Sequence, residues 1–245
     1  MRAGGKGFTR DGEHRPRRAW GQNFLVDERA VGIIVRAFDP RPDDRVLEIG
    51  PGRGALTRPV AGKVGRLLAV EVDPALAAEL RDRLVPEFPP GRLTILETDV
   101  LSEPPEALLE RLDAGPDRPA RLLANLPYNI ATAVILGLLP LHPALTDLMV
   151  MVQREVAERI LASPGGKEYG SLSVLCQAGA RIAPVLRLGP GSFRPRPKIE
   201  SEVIHLVLRT PEGPAGADRD GFARFVRGGF MARRKTLHNN LAALP

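Results

Sequence analysis

Asn125-Leu126-Pro127-Tyr128 ends a short apolar run, and its residue types together suit chemistry on an aromatic amine. Such an amine, for instance the exocyclic N6 of adenine, is a poor nucleophile because its lone pair is delocalised into the ring. The Asn125 side-chain oxygen and a backbone carbonyl next to Pro127 can each accept one N6 hydrogen. Both contacts draw the nitrogen toward tetrahedral geometry and turn its lone pair toward an electrophile. Proline fixes that backbone, and Tyr128 offers a ring on which a base can stack. The plainer reading is a turn that closes a strand, so the weight falls on what precedes it.

Upstream, Glu48-Ile49-Gly50-Pro51-Gly52-Arg53-Gly54 follows another apolar run. Glycines after a strand let the backbone approach a nucleotide-like ligand closely, which makes Gly50, Gly52 and Gly54 candidate cofactor residues. Their spacing is G-x-G-x-G rather than G-x-G-x-x-G, and Glu48 stands just before them. A pyrophosphate gains little from a carboxylate there, whereas a cationic sulfonium with an amino-acid tail tolerates or welcomes it. That turns the reading from NAD toward S-adenosylmethionine. Its methyl carries a leaving group already, so catalysis becomes positioning and electrostatics. Glu71, near the end of the next strand, suits the two ribose hydroxyls, and Asp99, after the third, suits an adenine amino group. Either acid alone could be a helix cap. The ordered series at three successive strand ends is what favours a ligand crevice.

The elements that must position these residues alternate between strand and helix. After a helix over Asp27 to Phe38, strands are expected at Arg45–Ile49, Arg66–Val72, Leu93–Leu96, Arg121–Leu126 and Asp147–Val152. Helices are expected to open at Ala55 and to cover Pro74–Leu84, Glu106–Leu112, Ala131–Leu139 and Glu155–Leu161. Beyond a helix over Leu172–Ala180, Ile182–Leu188 and Glu202–Leu208 read as two strands with a Pro-rich loop and no crossover helix between them, an antiparallel pair. Pro211–Ala217 reads as a linker and Phe222–Leu241 as helical.

With 245 residues, 43% of them hydrophobic, the chain can bury one full α/β core and a small appendage. Its apolar stretches are too short to span a bilayer, and its Arg-rich start lacks the apolar centre of a signal peptide, so a cytoplasmic protein is expected. The single cysteine, Cys176, excludes an internal disulfide and reads as a buried filler, and no Cys/His spacing suggests a metal. The net charge of +6 is unevenly spread. Residues 1–20 carry six Lys/Arg against two Asp/Glu and residues 181–245 carry twelve against five, while the middle is net acidic. Basic ends around an acidic body suggest a polyanion held by the termini, with solvated tails as the alternative.

Several segments together resemble the KsgA family of small-subunit ribosomal RNA adenine dimethyltransferases. They are Gly21-Gln22-Asn23-Phe24-Leu25, Glu48 to Thr57, Asn125-Leu126-Pro127-Tyr128-Asn129, Gln153 to Arg159, Lys167 to Ser173, Phe193 to Lys198, and Arg233-Arg234-Lys235-Thr236-Leu237. The resemblance runs from about residue 15 to the end. It implies a Rossmann-like, seven-stranded class I methyltransferase sheet over residues 1–210, with a basic arm at 1–20 and the start of a small helical domain at 211–245. Relatives usually continue with more helix, so this last domain is expected to be trimmed or unusually small. By resemblance Asn23, Leu25, Gly50, Glu71, Asp99 and Asn125 contact the cofactor or its methyl. The implied substrate is a pair of adjacent adenosines in the loop of the 3′-terminal hairpin of 16S rRNA, within an immature 30S subunit. Unpaired loop bases enter a pocket at less cost than paired ones.

Arg17, Arg18, Arg194, Arg196, Lys198, Arg233, Arg234 and Lys235 are the candidate phosphate contacts. Phe193 either faces Tyr128 across the base or packs in the core. Competing readings are a 23S rRNA adenine methylase of the erythromycin-resistance type, a non-catalytic assembly factor and an NAD-dependent dehydrogenase. A monomer is expected.

Overall fold

The computed structural model describes residues 22–127, 129–232 and 236–241. Arg17 and Arg18 with the rest of the basic arm, Tyr128, and Arg233, Arg234 and Lys235 lie outside the described residues.

Strands form where apolar residues run without alternation, because both faces are covered. In chain order they are β1 (Phe24–Leu25), β2 (Arg45–Ile49), β3 (Arg66–Glu71), β4 (Leu93–Glu97), β5 (Ala120–Asn125), β6 (Leu145–Gln153), β7 (Ala180–Leu188), β8 (Phe193–Arg194) and β9 (Ser201–Leu208). The helices are α1 (Glu28–Phe38), α2 (Thr57–Ala61), α3 (Pro74–Arg83), α4 (Pro105–Arg111), α5 (Ala131–Leu138), α6 (Arg154–Leu161), α7 (Ser171–Gly179), α8 (Pro214–Ala217), α9 (Arg219–Gly229) and α10 (Leu237–Leu241). Local chemistry sets several starts. Asp27 Oδ1 accepts the Arg29 and Ala30 amides to cap α1, and Asp73 caps α3 just ahead of Pro74 at its first position.

Seven strands form one sheet in the order β4-β3-β2-β5-β6-β9-β7. β4 through β6 run parallel, and β9 inserts antiparallel to both β6 and β7. The expected antiparallel pair is therefore present. Apolar side chains from α1, α2 and α3 cover one face, and those from α4, α5, α6 and α7 cover the other. Cys176 is buried in the second layer as expected, and burial pushes its thiol up to about 12. β7 forms one edge of the sheet and carries Pro184 next to a register shift.

Three expectations change. The glycine turn continues through Leu56, so α2 opens at Thr57 rather than at Ala55. Phe222–Leu241 is not one helix: α9 starts earlier, at Arg219, and ends at Gly229, where Asn240 on α10 donates to the Gly229 and Ala232 carbonyls. The linker contains the single turn α8. β1 and β8, too short to show a period in the sequence, pair antiparallel as a separate two-stranded sheet.

Candidate active site

The chain leaves β2 toward β3 and β4, then returns to place β5 on the other side of β2. At such a reversal the loops beyond the strand ends diverge and leave a crevice. Here the crevice measures about 970 Å³ including its open mouth. It brings together Asn23, Leu25, Gly50, Gly52, Glu71, Asp99, Asn125, Leu126 and Pro127 from the expected set.

Two glycines make the floor. Gly50 has φ +70°, and a Cβ there would sit 3.0 Å from the Asn125 carbonyl oxygen. Gly52 has φ +57°, a Cβ there would meet the Phe24 ring at 2.9 Å, and its amide donates to Glu71 Oε2 at 3.1 Å. Gly54 is a correction. It does not line the crevice, and its missing Cβ makes room for Leu84 at 2.6 Å, so it serves packing against the end of α3.

The acids differ in state. Glu71 is 5% exposed, with its other oxygen accepting the Asp73 amide at 3.0 Å. Burial raises its pKa, the two amide contacts oppose the rise, and the charge of Asp73 adds to it. Asp99 is exposed at the rim, and its Oδ1 accepts the Leu101 amide. Glu48, absent from the expected cofactor set although its carboxylate shaped that reading, also lines the crevice. It is 2% exposed with Oε2 unpartnered, and burial pushes its pKa up to about 8. The nearby Thr57 hydroxyl opposes that rise and Glu71 adds to it.

Asn125 stands at the tip of β5, and its Nδ2 donates to the Asn23 carbonyl at 3.3 Å. The Pro127 carbonyl accepts the Ile130 and Ala131 amides at the start of α5. It is thereby committed, which leaves the Leu126 carbonyl, fixed by the following proline, as the backbone acceptor beside Asn125. Leu126 itself is held by its amide, which donates to the Met151 carbonyl.

A family model for ribosomal RNA adenine dimethylases matches residues 13–245. The small-subunit rRNA methyltransferase A of Xanthomonas axonopodis pv. citri is 42% identical over 93% of this chain and 84% of its own. The chain belongs to the ribosomal RNA adenine dimethylase family. The Acinetobacter baylyi small-subunit rRNA methyltransferase A is likewise 42% identical, over 94% of this chain and 81% of its own. Among solved structures, a dimethyladenosine transferase from Plasmodium falciparum superposes with TM-score 0.75 at 26% identity, covering 89% of this chain and 74% of that one. The 23S rRNA methyltransferase ErmE gives 0.70 at 26%, covering 90% and 84%. The sheet is thus the class I methyltransferase sheet expected, and the protein is an rRNA-modifying enzyme.

In this dimethylase, Phe193 is corrected to a core residue. It is 1% exposed among Leu25, Val203 and Leu188, because β8 pairs with β1 and turns the ring inward. Arg194 is exposed, with its guanidinium donating back to the Phe193 and Gly191 carbonyls, and Arg196 and Lys198 are exposed on the same loop. No helix among the described residues is long and apolar enough to cross a membrane.

Proposed function

We propose that this dimethylase uses S-adenosylmethionine to place two methyl groups on N6 of each of two adjacent adenosines in the 3′-terminal hairpin loop of small-subunit rRNA. It acts as a cytoplasmic monomer on an immature 30S subunit. Residues 1–210 form the cofactor domain and 211–245 a small helical domain facing RNA, with Arg17, Arg18, Arg194, Arg196, Lys198, Arg233, Arg234 and Lys235 meeting phosphates. The relatives' names support the small subunit over the large one.

The residues present fit the cofactor. Gly50 and Gly52 line the crevice in left-handed backbone that favours glycine, Glu71 can take ribose hydroxyls, and Asp99 at the rim can take the adenine amine. The orphaned Oε2 of Glu48 suits a cation, whose presence favours the ionised carboxylate. Bound there, S-adenosylmethionine supplies an electrophilic methyl on a sulfonium leaving group.

The observation that carries this reading is the pair of acceptors at the β5 tip. Asn125 Oδ1 and the Leu126 carbonyl each take one N6 hydrogen, which lends the amine nucleophilic character, and Tyr128 stacks the base. No strong base is needed before attack, because the proton leaves after the nitrogen has become cationic. The test is transfer of labelled methyl to immature small subunits, then nuclease digestion and nucleoside mass analysis. Dimethyladenosine confined to small-subunit RNA is expected. Label in large-subunit RNA, or on another nucleoside, overturns the assignment.

A further inference from the structure

Residues 22–25 form a strap along the crevice, fastened at both ends. Gln22 Nε2 donates to Asp73 Oδ2 at 3.1 Å on the α3 side. On the other side Phe24 and Leu25 pair with Arg194 and Phe193, the Val26 amide donates to the Ser192 carbonyl at 2.9 Å, and the Ser192 hydroxyl donates to Asp27 Oδ2 at 2.9 Å. Between these fastenings the Asn23 carbonyl receives Asn125 Nδ2.

A carboxamide has a donor end and an acceptor end, and rotation by half a turn exchanges them. A backbone carbonyl can only accept. The Asn23 carbonyl therefore faces the NH₂ end of Asn125 and leaves Oδ1 for the crevice. Turned over, the amide would set N–H donors against the N6 hydrogens and abolish the activation described above.

We infer that Asn23 is a positioning residue: its main-chain carbonyl, held by the β1–β8 clasp, selects the reactive orientation of the Asn125 amide. This rests on the proposed activation of N6 by Asn125. The clasp belongs to the loop that carries Arg194, Arg196 and Lys198, so the strand that sets the amide is joined to the basic loop.

The test loosens the clasp away from the crevice with Ser192→Ala and, separately, Val26→Pro, which deletes the amide donor. Hydrogen exchange at residues 23–25 reads the strap. Single-turnover methylation of immature small subunits at saturating cofactor reads the amide. Faster exchange with a roughly three- to tenfold lower saturated rate is expected, the range that loss of one net hydrogen bond produces. Ser192→Thr should restore both. Faster exchange with only a raised cofactor KM and an unchanged saturated rate would make the strap a clamp on the cofactor and overturn the inference. Unchanged exchange in both variants would overturn it as well. Asn125→Ala run alongside separates the two claims: if it retains full activity, the activation mechanism itself falls.

Discussion

The two ends of the central sheet treat buried charge in opposite ways. At the ends of β2 and β5 that face the crevice, Glu48 lies buried with Oε2 unpartnered. At the opposite end Arg121 fills every donor. It bonds Asp147 through Nε and Nη2, Asp44 and the Asp39 carbonyl through Nη1, and the Phe38 carbonyl through Nη2, and it lies 4.2 Å from the Phe38 ring. His205 adds a contact to Asp147 at 3.1 Å. The Arg121 guanidinium is complete without a ligand, whereas the Glu48 carboxyl holds an oxygen in reserve for one.

Substitutions should therefore separate activity from stability. Asn125→Ala is expected to lower the methyl-transfer rate by about 10²–10³-fold, the range for loss of one preorganised polar contact to a reacting group, with the unfolding midpoint little changed. A loss below about tenfold would remove Asn125 from the reaction. At the other end, Arg121→Met leaves Asp44 and Asp147 without their guanidinium in a largely buried site. It should cost about 3–5 kcal/mol in denaturant unfolding while cofactor affinity of the folded protein persists. A cost under about 1 kcal/mol would break the comparison.

The two ends also titrate with opposite sign. Glu48 holds its proton up to about pH 8 when folded and releases it near 4.5 when unfolded. Its favourable contribution is thus present below 4.5 and is lost as pH rises to about 8, on the order of a few kcal/mol. Asp147 behaves inversely. Burial pushes its pKa up, but hydrogen bonds from His205 and Arg121 more than offset this and hold it below 3.8. Its contribution is present above 3.8 and is lost as pH falls through its lowered folded value. Unfolding free energy measured from about pH 2 to 8.5 should show that Glu48→Gln removes the decline on the alkaline side and leaves the acid limb below 3.8 intact. A variant whose curve parallels the parent's would show that Glu48 is ionised in the free protein.

The parallel strands, the glycine turn and the acids at strand ends were legible because each has a local signature: an apolar run, a G-x-G-x-G turn, a charged residue closing a strand. Glu48 was legible in principle, since a carboxylate inside Val46-Leu47-Glu48-Ile49 must be buried in a strand covered on both faces. The clasp was not. Two-residue strands have no period to detect, and Leu25 meets Phe193 from far along the chain. For the same reason Phe193, in a loop rich in Pro and Arg, offered no sign that its ring turns inward. Gly54 carried the cofactor signature, yet its freedom serves Leu84, a contact visible only once α3 is docked.

Pro184 on the outermost strand has a consequence for solubility. An open sheet margin offers its amides to any passing chain, and β7 withholds one there, while the adjacent register slip distorts the ladder that a newcomer would have to match. Arg181 stands exposed along the same border and adds like-charge repulsion between copies, while Arg187, also exposed, pairs with Glu202. The margin is thereby guarded against accretion of further strands.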